Sequence, residues 1–302
     1  MQPITEPRAS KRGLVDRMVI VLLVGVVAVS VGGVAVITIY LDKIGDAAAV
    51  LQKVDPLPPY VGRPSPVAVD GVEAVNYLLM TTAGDDSLES VLIAHLSASR
   101  RNLTLVALPP DLQATDGTGT LFTSYRVDPH RTARAVEALT GARMDHQVHL
   151  DANRLATVVD TLGGLELPDG RLTGAQVVGY LAGDHRGSSE RTADLLRAAL
   201  ARASMGSALT DPARFDKVVD AVVPCVTVDA GLTANEIRET LMESRVQAEE
   251  IVAWPLAATG TAAGVVADPT ALTDLRTALA KDSFPPANAM RQTRPPSPTA
   301  TR

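Results

Sequence analysis

Between residues 75 and 172 the apolar and polar positions switch repeatedly between two periods, and the switches mark alternating strands and helices. Val75 to Met80, Ser90 to Ser97 and Leu103 to Leu108 are apolar, β-branched-rich runs bounded by turn residues, the pattern of buried strands. They predict a central sheet. His146, Val148 and Leu150 alternate with Gln147, His149 and Asp151 at the period of two that a strand requires. Asp151 is placed to cap the next helix, whose Leu155, Val158, Val159 and Leu162 recur at helical spacing and stop at Gly163-Gly164. Leu165 to Leu167 begins another strand, turned by Pro168-Asp169-Gly170. A strand-helix-strand unit of this size predicts an α/β layer fold.

Further helices are announced by their caps. Asp128-Pro129 opens one that ends at Gly141, with Ala133, Val136 and Leu139 inward. Thr173 caps a helix carrying Val177, Val178 and Leu181, and the polar loop GDHRGSS over 183–189 precedes one with Leu195, Leu196, Ala199 and Leu200 on one face. Asp211-Pro212 opens a helix through Phe215 and Val218, and Thr233 with Glu236 forms a capping-box pattern for another through Ile237 and Leu241. The strand-like EEIVAW is expected to close the domain near residue 257.

Outside this block the pattern changes. Residues 18–40 carry no charge, and as a helix they would run about 35 Å, enough for a hydrocarbon core of about 30 Å. They predict one N-terminal transmembrane helix. Arg8, Lys11, Arg12 and Arg17 precede it while Asp42, Lys43 and Asp46 follow, which puts the N-terminus in the cytoplasm and the main domain outside. The apolar run exceeds the roughly 7–15 residues of a signal peptide, so a retained anchor is preferred to cleavage near Ala47-Ala48-Ala49. The expected organisation is a cytoplasmic stretch 1–17, a span 18–40, a proline-rich juxtamembrane linker 41–66, an extracytoplasmic domain 67–257 and a C-terminal extension 258–302. Beyond about residue 285 the extension is Pro, Ser, Thr and Arg with almost no apolar content, which predicts disorder.

Composition narrows the chemistry. With 46% hydrophobic residues the chain can bury a full core, and a net charge of −6 with no basic block beyond the N-terminal flank argues against nucleic acid as a partner. The single cysteine, Cys225, excludes an intrachain disulfide and reads as a small buried hydrophobe. No G-x-S-x-G, Walker or paired C-x-x-C motif occurs. His146 and His149 fall on opposite faces of their strand, which disfavours a shared metal and makes His146 a structural histidine.

Several segments together carry a family resemblance: MDHQVHLDANRLATVVDTLGGLEL, LTGAQVVGYL, VNYLLMTTAGDD, LESVLIAHLS, TLVALPPDL and LFTSY. Residues from about 72 to 257 resemble the LytR-CpsA-Psr (LCP) family of envelope proteins. The resemblance implies an anchored α/β domain with a central mixed β-sheet flanked by helices and a cleft for polyprenyl pyrophosphate lipids. It also implies Mg²⁺-dependent transfer of a glycopolymer from that lipid to peptidoglycan. By the same resemblance Asp111 keeps an acidic position, Glu89 replaces another acid on a longer arm, and Arg191 keeps one arginine. Elsewhere Ala83, Pro110, Ala182, Asp184, Asp194 and Leu195 stand where the family has aspartate, arginines and glutamine, with Asp85 and Asp86 close to the first. A sizeable family insertion is also shortened to LGGLELPDGRLTG.

Planar guanidinium groups bind pyrophosphate oxygens in pairs, so the missing arginines bear on activity. Arg100 and Arg101 lie at the wrong end of their strand and Arg197 on another side of its helix, leaving Arg186, in a glycine-flanked loop, to replace them. The candidate catalytic residues are Asp111, Arg191 and Arg186, and the candidate Mg²⁺ ligands are Glu89 and Asp111. Each has a plainer reading: Arg191 as an ion pair with Asp194 one turn on, and the two acids as strand-end or turn residues. Two functions follow, a catalytically degenerate envelope protein that binds a polyprenyl lipid or an envelope partner, and an active phosphotransferase. A third, transcriptional regulation, is opposed by the predicted topology.

Overall fold

The structure, a computed structural model, describes residues 46–285 except 48, 85–86, 116, 118, 183–184, 206–211, 245, 247–249 and 262–263. The predicted span 18–40 and the tail beyond 285 lie outside the described residues. Among the described residues no helix is long and apolar enough to cross a membrane.

The chain runs through β1 (Gln52–Val54), β2 (Ala68–Val69), β3 (Val72–Glu73), β4 (Val75–Thr82), β5 (Leu88–Leu96), β6 (Leu103–Leu108), α1 (Leu121–Val127), α2 (Pro129–Thr140), β7 (His146–Asp151) and α3 (Ala152–Thr161). It continues through β8 (Leu165–Leu167), β9 (Gly170–Leu172), α4 (Gly174–Leu181), α5 (His185–Met205), α6 (Pro212–Val222), β10 (Val226–Asp229) and α7 (Ala234–Glu243). β11 (Ile251–Pro255), β12 (Ala258–Thr261), β13 (Gly264–Ala267) and α8 (Pro269–Lys281) complete it.

Seven strands form a mixed sheet in the order β1-β10-β7-β4-β5-β6-β11. The pairs β1/β10, β7/β4 and β6/β11 are parallel, and β10/β7, β4/β5 and β5/β6 are antiparallel. Leu79, Leu92, Leu105 and Val148 face a core completed by Leu155, Leu196 and Phe215 from α3, α5 and α6. Leu78, Ile93 and Val106 face a second core with Val136 of α2 and Leu275 of α8. With helices on both faces, strand residues of either parity are buried, which is why these strands read as continuous apolar runs.

Local chemistry sets the helix ends as expected. The Asp151 carboxylate accepts from the N–H groups of Asn153 and Arg154, Asp128 accepts from His130 N–H, and Thr173 N–H donates to Gln176 Oε1. Gly141 and Gly163 end their helices at φ of 69° and 80°, in the left-handed region where glycine carries no steric cost.

The expected strand Leu165–Leu167 forms as β8 and pairs with β9 in a short hairpin, while both flanks of β7 are taken by β10 and β4. Three expectations need correction. The expected loop over 183–189 is helical from His185. The expected linker 41–66 contains the edge strand β1, buries Leu51 and Leu57, and anchors Tyr60 and Arg63 on Glu137. The expected extension after 257 folds through residue 285, because Val265, Leu275 and Leu279 complete the second core. Its helix opens with Asp268-Pro269, the same signal as Asp128-Pro129, with Asp268 accepting from Ala271 N–H. At its other end Asp282 takes φ 48°, and its carboxylate meets His95 Nε2 at 2.8 Å and Ala98 N–H at 2.9 Å. The Phe284 ring packs on His95.

Candidate functional site

Glu89 and Asp111 lie at one end of the sheet, where β4 and β6 finish and β5 begins, and α5, which carries Arg186 and Arg191, packs over β5 and β6. The β4/β5 register slips between Thr81 and Thr82, and the β5/β6 ladder starts at Val91↔Leu108. Glu89 lies in the first residues of β5, beside this slip, and Asp111 lies in the turn that follows β6, closed by Leu112 N–H donating to the Pro109 carbonyl at 3.0 Å. β1 enters the sheet at the same end: Gln52 pairs with Thr227, Thr227 with His149, His149 with Met80, and Met80 with Val91.

A strip of buried polar side chains interrupts the first core here. Ser90 lies opposite Thr81 in the register, and both hydroxyl oxygens are buried with no hydrogen-bond partner among the described residues. α5 packs over β5 and β6, bringing buried Ser188, Ser189 and Thr192 to this face. Ser189 Oγ donates to the Leu108 carbonyl at 2.7 Å and accepts from Val91 N–H at 3.0 Å, tying helix to sheet at the last row of the ladder. Replacing Ser189 by Ala strips a buried N–H and a buried C=O of their partner at once. The expected cost is about 1–2 kcal/mol, read by urea unfolding.

Asp111 and Glu89 stand on neighbouring segments of this end. Asp111 Oδ1 is buried with no hydrogen-bond partner among the described residues. Glu89, also buried, accepts a short hydrogen bond from the Ser87 hydroxyl. The implied Mg²⁺ fits these residues, since an orphaned carboxylate oxygen is completed by a hard cation that takes one or two carboxylates together with water and phosphate oxygens. Among the described residues no group of three or more His, Cys, Asp or Glu side chains is arranged to hold a metal, so such an ion would draw further ligands from its substrate.

Arg191, on α5, folds its guanidinium toward the start of the helix. Nη2 donates to the Leu181 carbonyl at 3.3 Å, and a Cβ added to Gly187 would stand 2.8 Å from Nη1. Arg186 lies in the first turn of α5, but its side chain is outside the described residues. Asp194 is bridged by Arg197 at 3.4 Å, three residues on. Arg100 sits at the far end of the sheet, donating to the Glu73 carbonyl at 2.8 Å.

The two histidines of β7 do lie on opposite faces. His146 Nε2 meets Glu236 at 3.0 Å, and its Nδ1 meets Asp229 at 3.4 Å. Burial alone would lower its pKa, but these hydrogen bonds and charges raise it to about 9. His149 is lowered to about 4 by burial and by His130, which leaves it neutral beside Tyr125. Cys225 is buried and pushed up to about 12 by burial, so it is not a reactive thiol.

A mixed sheet covered by helices on both faces, with a polar strip and an orphaned carboxylate at one end, defines an α/β domain with a sheet-end site. No protein-family model and no curated protein sequence matches the chain. Among solved structures it is similar to TagV of Bacillus subtilis, at 19% identity and a TM-score of 0.55 over 70% of this chain and 98% of that one. It is also similar to a LytR-Csp2A-Psr enzyme from Actinomyces oris, at 19% identity and 0.56 over 75% and 95%. A third is TagT bound to LIIa-WTA, at 12% identity and 0.53 over 76% and 96%. The chain has the LytR-CpsA-Psr fold.

Proposed function

We propose that this protein is an envelope protein, anchored by residues 18–40 with its folded domain outside the membrane, that binds a polyprenyl pyrophosphate-linked glycopolymer. In this reading the sheet-end site retains lipid head-group binding and has lost most of its transfer activity. The observation that carries it is the state of Arg191. Its guanidinium is directed at the Leu181 carbonyl, while Pro110, Ala182, Asp184 and Asp194 occupy the other positions at which the resemblance places arginine. One arginine cannot give the paired recognition that a departing pyrophosphate needs. The fold adds support, since TagT of the same fold was solved with LIIa-WTA bound.

Asp111, with Glu89, would hold Mg²⁺, which supplies positive charge against diphosphate oxygens when bound. The protein's own residues do the rest: Arg191 binds the phosphate edge, joined by Arg186 only in the active reading, and the Ser189 bridge keeps α5 seated on the strand ends. The second reading, an active phosphotransferase acting on peptidoglycan, is favoured by the orphaned Asp111 Oδ1.

The full-length chain in detergent, incubated with a polyprenyl pyrophosphate-linked glycan, peptidoglycan and Mg²⁺, separates the two. Lipid binding that weakens in Arg191→Ala, with transfer at background, is the expected result. Transfer abolished by Asp111→Asn would replace this reading by the enzyme, and no lipid binding by the unaltered chain would reject both.

A further inference from the structure

Asp111 is carried on a loop, so the direction of its carboxylate depends on what grips that loop. One grip comes from Val265, 154 residues further along the chain. Val265 N–H donates to the Asp111 carbonyl at 3.0 Å, and the Val265 carbonyl accepts from Gln113 N–H at 2.8 Å. β13 therefore lies parallel to the loop at Leu112. On the other side α1 supplies the second grip: Leu121 N–H donates to the Leu112 carbonyl at 3.0 Å, and Phe122 N–H to that of Pro110 at 2.7 Å. Leu112 and Val265 are both buried in the second core.

Gly264 makes this approach possible. It adopts φ 130°, and a Cβ there would stand 2.9 Å from the Asp111 carbonyl oxygen and 3.3 Å from Thr120 Cγ2. The first is a clash with backbone, which cannot swing away, and the φ is one that side-chain-bearing residues rarely adopt. Any larger residue must push the hairpin and the Asp111 peptide apart.

We infer that the β12–β13 hairpin is a positioning element for Asp111 and that Gly264 is the residue through which it acts. It holds the peptide from which the carboxylate projects, and so sets how that carboxylate meets a divalent cation. The inference rests on the reading of Asp111 as a cation ligand.

Mg²⁺ alone is the probe, titrated calorimetrically into the full-length chain in detergent, with the thermal midpoint measured with and without the ion. Gly264→Ala is expected to weaken Mg²⁺ affinity by about 10–100-fold, the usual loss when a supporting contact of a metal ligand is disturbed. Its Mg²⁺-induced rise in midpoint shrinks in step. Thr259→Ala, on the exposed strand of the hairpin, keeps the affinity of the unaltered chain. If Gly264→Ala does not fold, Val265→Ala decides: it keeps the backbone bonds, thins the packing on Leu112, and gives a smaller loss in the same direction. Unchanged affinity in the folded variant overturns the positioning role. Asp111→Asn separates the two layers: loss there with retention in Gly264→Ala sinks only the hairpin's role, whereas retention in Asp111→Asn, or no binding by the unaltered chain, removes the ligand reading and the inference with it.

Discussion

Asp229→Ala is expected to cost about 3–5 kcal/mol, because it leaves a buried imidazolium without its buried counter-charge, with only the half-exposed Glu236 remaining. The carboxylate also accepts from the N–H groups of Gln147, Gly231 and Leu232, at 2.7, 2.8 and 3.2 Å. Its removal opens the junction of β7, β10 and α7 together. The pH dependence follows from opposite shifts: burial acts to raise the Asp229 pKa, but hydrogen bonds from His146 and Gln147 N–H outweigh it and leave it lowered. Stability from that group is present above its unfolded pKa and is lost as pH falls through the folded value. The His146 contribution is full below about pH 6.5 and is lost as pH rises through about 9. Urea unfolding from pH 5 to 10 should show the alkaline decline in the unaltered protein and a flatter profile in the variant. An equally steep alkaline decline in Asp229→Ala would contradict the assignment to this pair.

Glu137→Ala is the second large effect, expected at about 3 kcal/mol from breaking a buried charged network. Glu137 is fully buried, and its carboxylate accepts from Tyr60 Oη, from Arg63 Nε at 3.2 Å and from Met144 N–H at 2.8 Å. The segment leading from β1 back across α2 is held there, so the variant should expose Arg63 to trypsin well before the rest of the domain. Tyr60 gives a second readout: burial and then its hydrogen bond to Glu137 push it up to about 12, and the variant should bring it back toward 10 in an ultraviolet titration. Unchanged proteolysis and an unchanged Tyr60 titration would show that the segment is held elsewhere.

Helix ends were legible wherever one side chain decides them: Asp128, Asp151 and Gly141 do their capping within a few residues of the chain. β4, β5 and β6 were legible because helices cover both faces. β1, β12 and β13 were not, since strands of three or four residues show no period and their partners lie far away in sequence. At the site, Asp111, Glu89 and Arg191 surfaced only through family resemblance. Ser189, Thr81 and Ser90 were missed, because which hydroxyls become buried depends on which helix covers the strand ends. A signal for Ser189 existed: Ser188, Ser189 and Thr192 continue the stripe of Leu195, Leu196 and Ala199 backwards at helical spacing, so polar residues stand at core-facing positions.

The docking of Asp282 on His95 and Ala98 has a practical side. It fixes the C-terminal end of the described chain at the finish of β5, whereas the site lies at its start, a nine-residue strand away, about 25–30 Å. A fluorescent reporter or immobilisation handle attached after residue 285 would begin on the side remote from Asp111. One inserted just before Gln52 would begin in the row that borders the site.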